Sequence, residues 1–269
     1  KKYTEDIVKL SHVCDIFSFC DTELKSDFEW LTRGRKSENL PASNRQFGKY
    51  DVFIEPGARV ECSTINTESG PVYIGRDAEV MEGCMIRGPF ALGEHSVLKM
   101  GAKIYGATSI GPHSKVGGEV NNSVIFGYSN KAHDGFLGNS VLGEWVNLGA
   151  DTNNSNLKNN YAPVKMWHYT KKSFVQTGLT FAGLIMGDHS KCGINTMFNT
   201  GTVIGVSCNL FGDGFHRNYV PSFSWGGAAG YTRFNFNKAI EVAENMMNRR
   251  GLSVSEAEKS ILSHIFNEE

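Results

Sequence analysis

The sequence runs to 269 residues, with 27 lysines and arginines against 28 aspartates and glutamates, a formal net charge of -1. That balance excludes a general attraction to nucleic acid or an anionic membrane, and the length suffices for a sizeable core without disulfide staples. Thirty glycines against seven prolines point to many tight turns in a regular structure, not to a collagen-like or disordered chain. The six cysteines (Cys14, Cys20, Cys62, Cys84, Cys192 and Cys208) contain no CxxC pair, which fits reduced thiols and a cytoplasmic location. The longest apolar run, around Leu179 to Met186, falls far short of the ~20 residues of a membrane span. No secretory signal is visible. The chain begins Lys1-Lys2 without a methionine, as a fragment lacking its N-terminal part would.

Residues 1–45 carry no repeat. Asp21 to Leu31 reads as a helix, with Asp21 or Thr22 as its cap and Leu24, Phe28 and Leu31 on one face. Gly34 would end it, and the polar stretch from Arg35 to Arg45 reads as a linker. Ile54 and Val60 open a less regular coil. From Ile74 an aliphatic residue then recurs every sixth position: Val80, Ile86, Leu92, Leu98, Ile104, Ile110 and Val116. After a two-residue slip the register is read to resume at Val124, Phe136, Leu142 and Leu148, and again at Met186, Cys192, Phe198, Ile204 and Leu210. Glycine follows many of these residues, as in Ile74-Gly75, Leu92-Gly93 and Ile110-Gly111.

A period of six is neither the two of a lone strand nor the 3.6 of a helix. It fits one short strand plus one turn, with the aliphatic side chain inward. Three such units close a triangular coil, and stacked coils bury a continuous apolar column. The strands of a β-sandwich would alternate by two and show hairpin signals, which the repeat lacks. The expected fold is therefore an all-β solenoid, a parallel β-helix of hexapeptide repeats with α-helices flanking both ends.

Asp151 to Lys172 interrupts the repeat with an asparagine-rich excursion, and such loops on a solenoid are usually functional. Past Trp225-Gly226-Gly227, two helices are expected over 237–249 and 255–266, with Ser253 or Ser255 capping the second. They would cover the open end of the column, whose last strands otherwise present unpaired edges. The chain thus divides into a helical and linker segment over 1–45, a β-helix over 46–234 with its excursion over 151–172, and helices over 235–269.

The residues richest in chemistry are His133-Asp134-Gly135-Phe136-Leu137-Gly138, followed by Asn147-Leu148-Gly149-Ala150 and Asn156. This run resembles the acetyltransferase half of the bifunctional N-acetylglucosamine-1-phosphate uridylyltransferase / glucosamine-1-phosphate N-acetyltransferase family. The motif covers about 30 residues, and the hexapeptide architecture runs from about Ile54 to Leu210. The resemblance implies a left-handed β-helix, acetyl-CoA as cosubstrate, and an amino sugar phosphate or sugar nucleotide as acceptor. It also implies a homotrimer with acyl-CoA between adjacent prisms, and makes residues 1–45 the remnant of an upstream nucleotidyltransferase-type domain. The excursion is then the segment to reach over a neighbour's cleft.

An amine that attacks a thioester must lose a proton as the bond forms, and an imidazole titrating near neutrality suits that task. His133 is the expected base, with Asp134 or a nearby carbonyl orienting its ring. Corner backbone N–H groups could hold the oxyanion. By resemblance, Phe136 and Asn147 line the sugar side. Ala150 and Asn156 line the acyl-CoA side, and Gly183 and Lys191 are counted with them. The sequence departs from the family pattern at Phe136, usually tyrosine, and at Asp151, usually glycine. Asn121-Asn122 stands where the family has a lysine pair that meets the sugar phosphate. Lys158 and Lys165, with Arg87, Lys99 and Lys103, are the candidates for that duty.

His95, His113 and His189 occupy equivalent places after Leu92-Gly93, Ile110-Gly111 and Met186-Gly187, so they are read as corner residues. No HxxxxH pair is present, and no metal site is expected. The rival reading is a non-catalytic β-helix that oligomerises or regulates a sugar nucleotidyltransferase.

Overall fold

The computed structural model describes residues 7–268; Lys1 and Lys2 lie outside them. Its body is a three-sided left-handed parallel β-helix. The first face stacks Arg45–Phe47, Thr64–Asn66, Met85–Arg87, Lys103–Tyr105, Glu119–Asn121 and Phe136–Gly138. The second face runs from Val52–Ile54 to Tyr219–Val220. The third carries Arg59–Val60 through Asn130–Lys131, bridges across Asn147, and continues at Lys191–Cys192 and Asn209–Leu210. Every coil-to-coil pairing in the column is parallel and in register, as in Ile74 with Leu92 and Leu92 with Ile110.

The aliphatic series from Ile74 to Val116 forms the apolar axis, and Ile74, Val80, Leu92, Leu98 and Val116 are all fully inaccessible. Downstream the expected register needs correction. Val124 and Phe136 point outward, and their neighbours Ile125 and Leu137 are the buried ones. Side chains alternate along a strand, so a slip of one residue exchanges the faces. The inward series after Val116 is Val120, Ile125, Lys131, Leu137, Leu142 and Leu148, and the lysine in it could not be expected from a search for aliphatics.

Corners explain the residues after each aliphatic-glycine pair. Coils approach so closely at Gly93 that a Cβ there would lie 2.7 Å from backbone atoms of Gly111 and Pro112. Three residues after the inward aliphatic, the chain takes a left-handed turn at His95, His113, Tyr128, Trp145 and His189, with φ of 55°, 57°, 58°, 60° and 58°. Their rings form a ladder along the edge between the second and third faces, with successive centroids 4.9, 4.7, 4.3 and 6.3 Å apart. Three histidines are thus corner residues.

Helices and the excursion cover parts of this prism. Helix α1 (Asp15–Ser18) leads into α2 (Cys20–Thr32). The residue before α2 is Phe19 and makes no side-chain cap, so Asp21 and Thr22 lie inside the first turn. Leu24, Phe28 and Leu31 face Tyr73, Ala91 and Ser109 of the second face. In the linker, Arg35 Nη2 holds both carboxylate oxygens of Glu55 at 2.6 and 2.7 Å.

The excursion differs from a polar loop over 151–172. Thr152 and Asn154 are buried in the column, and the chain returns at Leu184. Between them Lys165–His168 and Ser173–Gln176 make an antiparallel hairpin. Val164 and Met166 pack with Cys14, Phe17, Val141, Ile185 and Val203 over the second face. That apolar contact holds the hairpin against the second face of its own prism.

The C-terminal helices also differ from an end cap. Helix α3 (Phe236–Asn248) has Asn235 as its cap, whose side chain accepts from the Lys238 N–H. Its Ala243 and Met247 pack on Trp145. Helix α4 (Glu256–Glu268) places Leu262 beside Phe223 and Phe234. Ala239 lies near Phe223, whereas Arg250 beyond the helix reaches the His113 carbonyl at 3.4 Å. Helix α3 therefore runs back along the prism edge, its 13 residues spanning about 20 Å, roughly four coil spacings. At the end of the column the third face gains Ser224–Gly227 and the antiparallel Gly230–Arg233 instead. No helix among the described residues is long and apolar enough to cross a membrane.

Candidate active site

His133 lies where the chain turns from Asn130–Lys131 on the third face to Phe136–Gly138 on the first. Its side chain and that of Asp134 are exposed. The backbone beneath is fixed from inside the prism. Lys131 occupies an inward position at 2% exposure, in register with Val116, and its Nζ donates to the His133 carbonyl at 2.6 Å. Burial pulls this ammonium down to about 8, against the opposing pull of Asp134 and Asp151. On the preceding coil, a Cβ on Gly118 would stand 2.8 Å from the His133 carbonyl and Asp134 Cα. On the following coil the Asp151 N–H donates to the Asp134 carbonyl at 3.0 Å. The corner is clamped on three sides, while the imidazole itself makes no hydrogen bond to the described residues. Neither Asp134 nor a carbonyl orients the ring as expected.

Register places Ala150 at the same corner one coil on, because Asn130 and Asn147 bridge in parallel. The next coil supplies Asn195, whose N–H donates to the Ala150 carbonyl at 2.7 Å. On the adjoining first face, Phe136 and Asn156 converge over Gly138, where a Cβ would collide with the Phe136 ring and approach the Asn156 amide at 2.8 Å. Asn156 Nδ2 donates to Asn139 Oδ1 at 2.8 Å. The Phe136 N–H donates to Asn153 Oδ1 and the Gly138 N–H to Asn154 Oδ1, at 2.8 and 2.9 Å. The asparagines read as loop residues are therefore a ladder that closes the first face.

Asn147 and Lys191 form a second group on the third face, joined by a parallel bridge. Both line a cavity roofed by the end of α3. Lys191 Nζ donates to the His189 carbonyl at 2.7 Å, and burial pulls its ammonium down to about 8.

Three expected residues fall elsewhere. Gly183 is buried where the chain rejoins the column, and a Cβ would collide with the Gly138 carbonyl and the Asn154 amide. Its place is one of close packing, with its N–H donated to the Asn139 carbonyl at 2.8 Å. Lys165 sits on the hairpin over the second face, across the prism from His133. Lys158 donates to the Pro163 carbonyl at 3.1 Å and borders a cleft with Asn199 and Asn218.

The reading from sequence missed Lys131, Asn153 and Asn154. Counting six from Ile125 arrives at Lys131, and six from Leu148 at Asn154, so the signal was present in the period itself.

No protein-family model matches the sequence. Curated relatives do. The bifunctional protein GlmU of Methanocaldococcus jannaschii is 34% identical over 90 residues, 34% of this chain and 21% of that protein. A bifunctional sugar-1-phosphate nucleotidylyltransferase/acetyltransferase of Sulfurisphaera tokodaii is 33% identical over 144 residues, 53% of this chain and 35% of the relative. The uncharacterized acetyltransferase YaiX of Escherichia coli is 32% identical over 148 residues, 54% of this chain and 64% of the relative. The matching segments are thus about a fifth and a third of the two bifunctional proteins. The chain is similar to bifunctional nucleotidyltransferase/acetyltransferases over about half its length.

Proposed function

We propose that this β-helix transfers an acetyl group from acetyl-CoA to the amine of an amino sugar phosphate or sugar nucleotide. The observation that carries the reading is the clamped, exposed His133 corner, with Ala150 in register one coil on and Phe136 and Asn156 beside it. In this reading the sugar amine attacks the thioester carbonyl, His133 accepts the proton the nitrogen loses, and the carbon–sulfur bond breaks to release CoA. Rigid backbone under the imidazole favours the step, because a base displaced by about 1 Å loses much of its effect. Corner N–H groups near Ala150 suit the oxyanion.

The acetyltransferases among the relatives support the donor, and the sugar-phosphate relative supports the acceptor class. The same relatives favour an upstream nucleotidyltransferase, to which residues 1–45 would connect. The working unit in this reading is a homotrimer. Its support is the exposed apolar side chains beside His133: Met100 and Ile194 at the same edge, and Met85, Met197 and Phe215 on the first face. Such a strip suits a protein contact.

The test is thiol release from acetyl-CoA in the presence of glucosamine 1-phosphate, its 3-amino and 4-amino isomers and the corresponding nucleotide sugars. Turnover with at least one amine is expected, and hydrolysis or silence with all of them would leave the scaffold reading in its place.

A further inference from the structure

The cavity between the third face and α3 differs in charge from the rest of the site. It measures about 460 Å³ and gathers Lys115 and Lys191 from the face, Arg249 and Arg250 from the end of the helix, and the amides of Asn130 and Asn147. No carboxylate among the described residues lines it. None of the four cations is in an ion pair among the described residues. Arginines at a helix C-terminus favour the helix dipole by themselves. That accounts for Arg249 and Arg250 but not for the lysines opposite, and least of all for Lys191. This ammonium is half-buried, with one carbonyl as its hydrogen-bond partner among the described residues, and two of its protons remain to be satisfied. The helix is held in place by apolar packing of Ala243 and Met247 on Trp145, so the arginines are carried to the cavity independently of any ligand. Like charges converging on one concave space raise its affinity for an anion.

We propose that this cavity binds a phosphorylated group of one of the two substrates. The guanidinium groups of Arg249 and Arg250 take its oxygens in paired hydrogen bonds, Lys115 and Lys191 act as point charges, and the asparagine amides complete the shell. Asn130 lies three residues ahead of His133 on the same turn. A ligand extending along the third face therefore leads from the phosphate to the imidazole. The route to His133 rests on the acetyl-transfer reading; the affinity for phosphate does not.

Titration calorimetry of the full chain with inorganic pyrophosphate at low salt tests this. Wild type is expected to bind, with affinity falling about tenfold or more in R249A/R250A and also in Lys191→Met. Circular dichroism controls for folding, and Lys115→Ala gives a second, exposed probe. The H133A variant should bind pyrophosphate as wild type does even where acetyl transfer is lost, which separates failure of this site from failure of the catalytic reading. Displacement of pyrophosphate by CoA assigns the cavity to the donor, and displacement by glucosamine 1-phosphate assigns it to the acceptor. No pyrophosphate binding, binding indifferent to R249A/R250A, or displacement by neither substrate would overturn the proposal.

Discussion

The coils up to Val116 and the coils that follow are made from the same repeat, yet their interiors differ. Upstream, the inward series Ile74, Val80, Ile86, Leu92, Leu98, Ile104, Ile110 and Val116 is aliphatic throughout, and each member is at most 2% exposed. Downstream, the inward positions include Lys131 and Asn154, at 2% and 4% exposure. Burying polar groups costs free energy unless they are hydrogen-bonded, and each of these two is bonded to the site. Lys131 holds the carbonyl of His133, and Asn154 holds Gly138 through both its N–H and its carbonyl. The lesson is that the regular part of the column supplies stability, while interior polarity marks where backbone is being fixed for another purpose.

That contrast makes unequal predictions for substitutions in the two regions. Leu98→Ala, in the regular part, should cost about 2–5 kcal/mol through the cavity it leaves. A urea titration should register the loss, and the acetyl-transfer rate per folded molecule should hold. A rate that collapsed with stability intact would erase the distinction between the regions.

Acid should act next most strongly, through His189 at the end of the aromatic ladder. Burial, with Lys191 nearby, pulls its imidazole from 6.5 down to about 4, and its Nδ1 has no hydrogen-bond partner among the described residues. The unfolded chain then binds the proton more tightly than the native one. Stability contributed by this group is complete above about 6.5 and is lost as the pH falls toward 4, on the order of 3 kcal/mol at most. His189→Phe should flatten that slope between pH 7 and 5 in urea midpoints; a slope unchanged by the substitution would assign acid sensitivity elsewhere.

The smallest effect expected on stability is also the one of opposite sign. Lys131→Met keeps the volume and removes a buried ammonium, so the fold should be unchanged or gain about 1 kcal/mol. Acetyl transfer should nevertheless fall, because the His133 carbonyl loses its anchor. Calorimetric melting and kcat on the same preparation would show the two moving apart. A large loss of stability with kcat preserved would make Lys131 an ordinary structural residue.

The sequence made the column legible because one inward side chain per six residues is a strong, long-running signal, and the corner histidines followed from it. Legibility failed where the spacing shortened. Val116, Val120 and Ile125 are four and five residues apart, whereas a slip that lengthened the step after Val116 by two residues assigned Val124 and Phe136 to the interior. The hairpin over 165–176 was hidden because its apolar residues pack on the outside of the second face, a tertiary contact with no period of its own. Helix α3 was legible as a helix, but its path along the prism depends on Trp145 and Met247 meeting across a hundred residues. For the site, the motif pointed to His133, Ala150, Phe136 and Asn156, which the fold brings to one edge and its neighbouring face. Lys165 and Gly183 shared only the sequence neighbourhood.

The central claim concerns one imidazole on a fixed corner, and kcat/KM for acetyl transfer by His133→Ala at matched melting temperature tests it most directly. The account predicts a fall of about 10²- to 10⁴-fold with the thermal transition of wild type. Activity within a few-fold of wild type in a folded variant would contradict it.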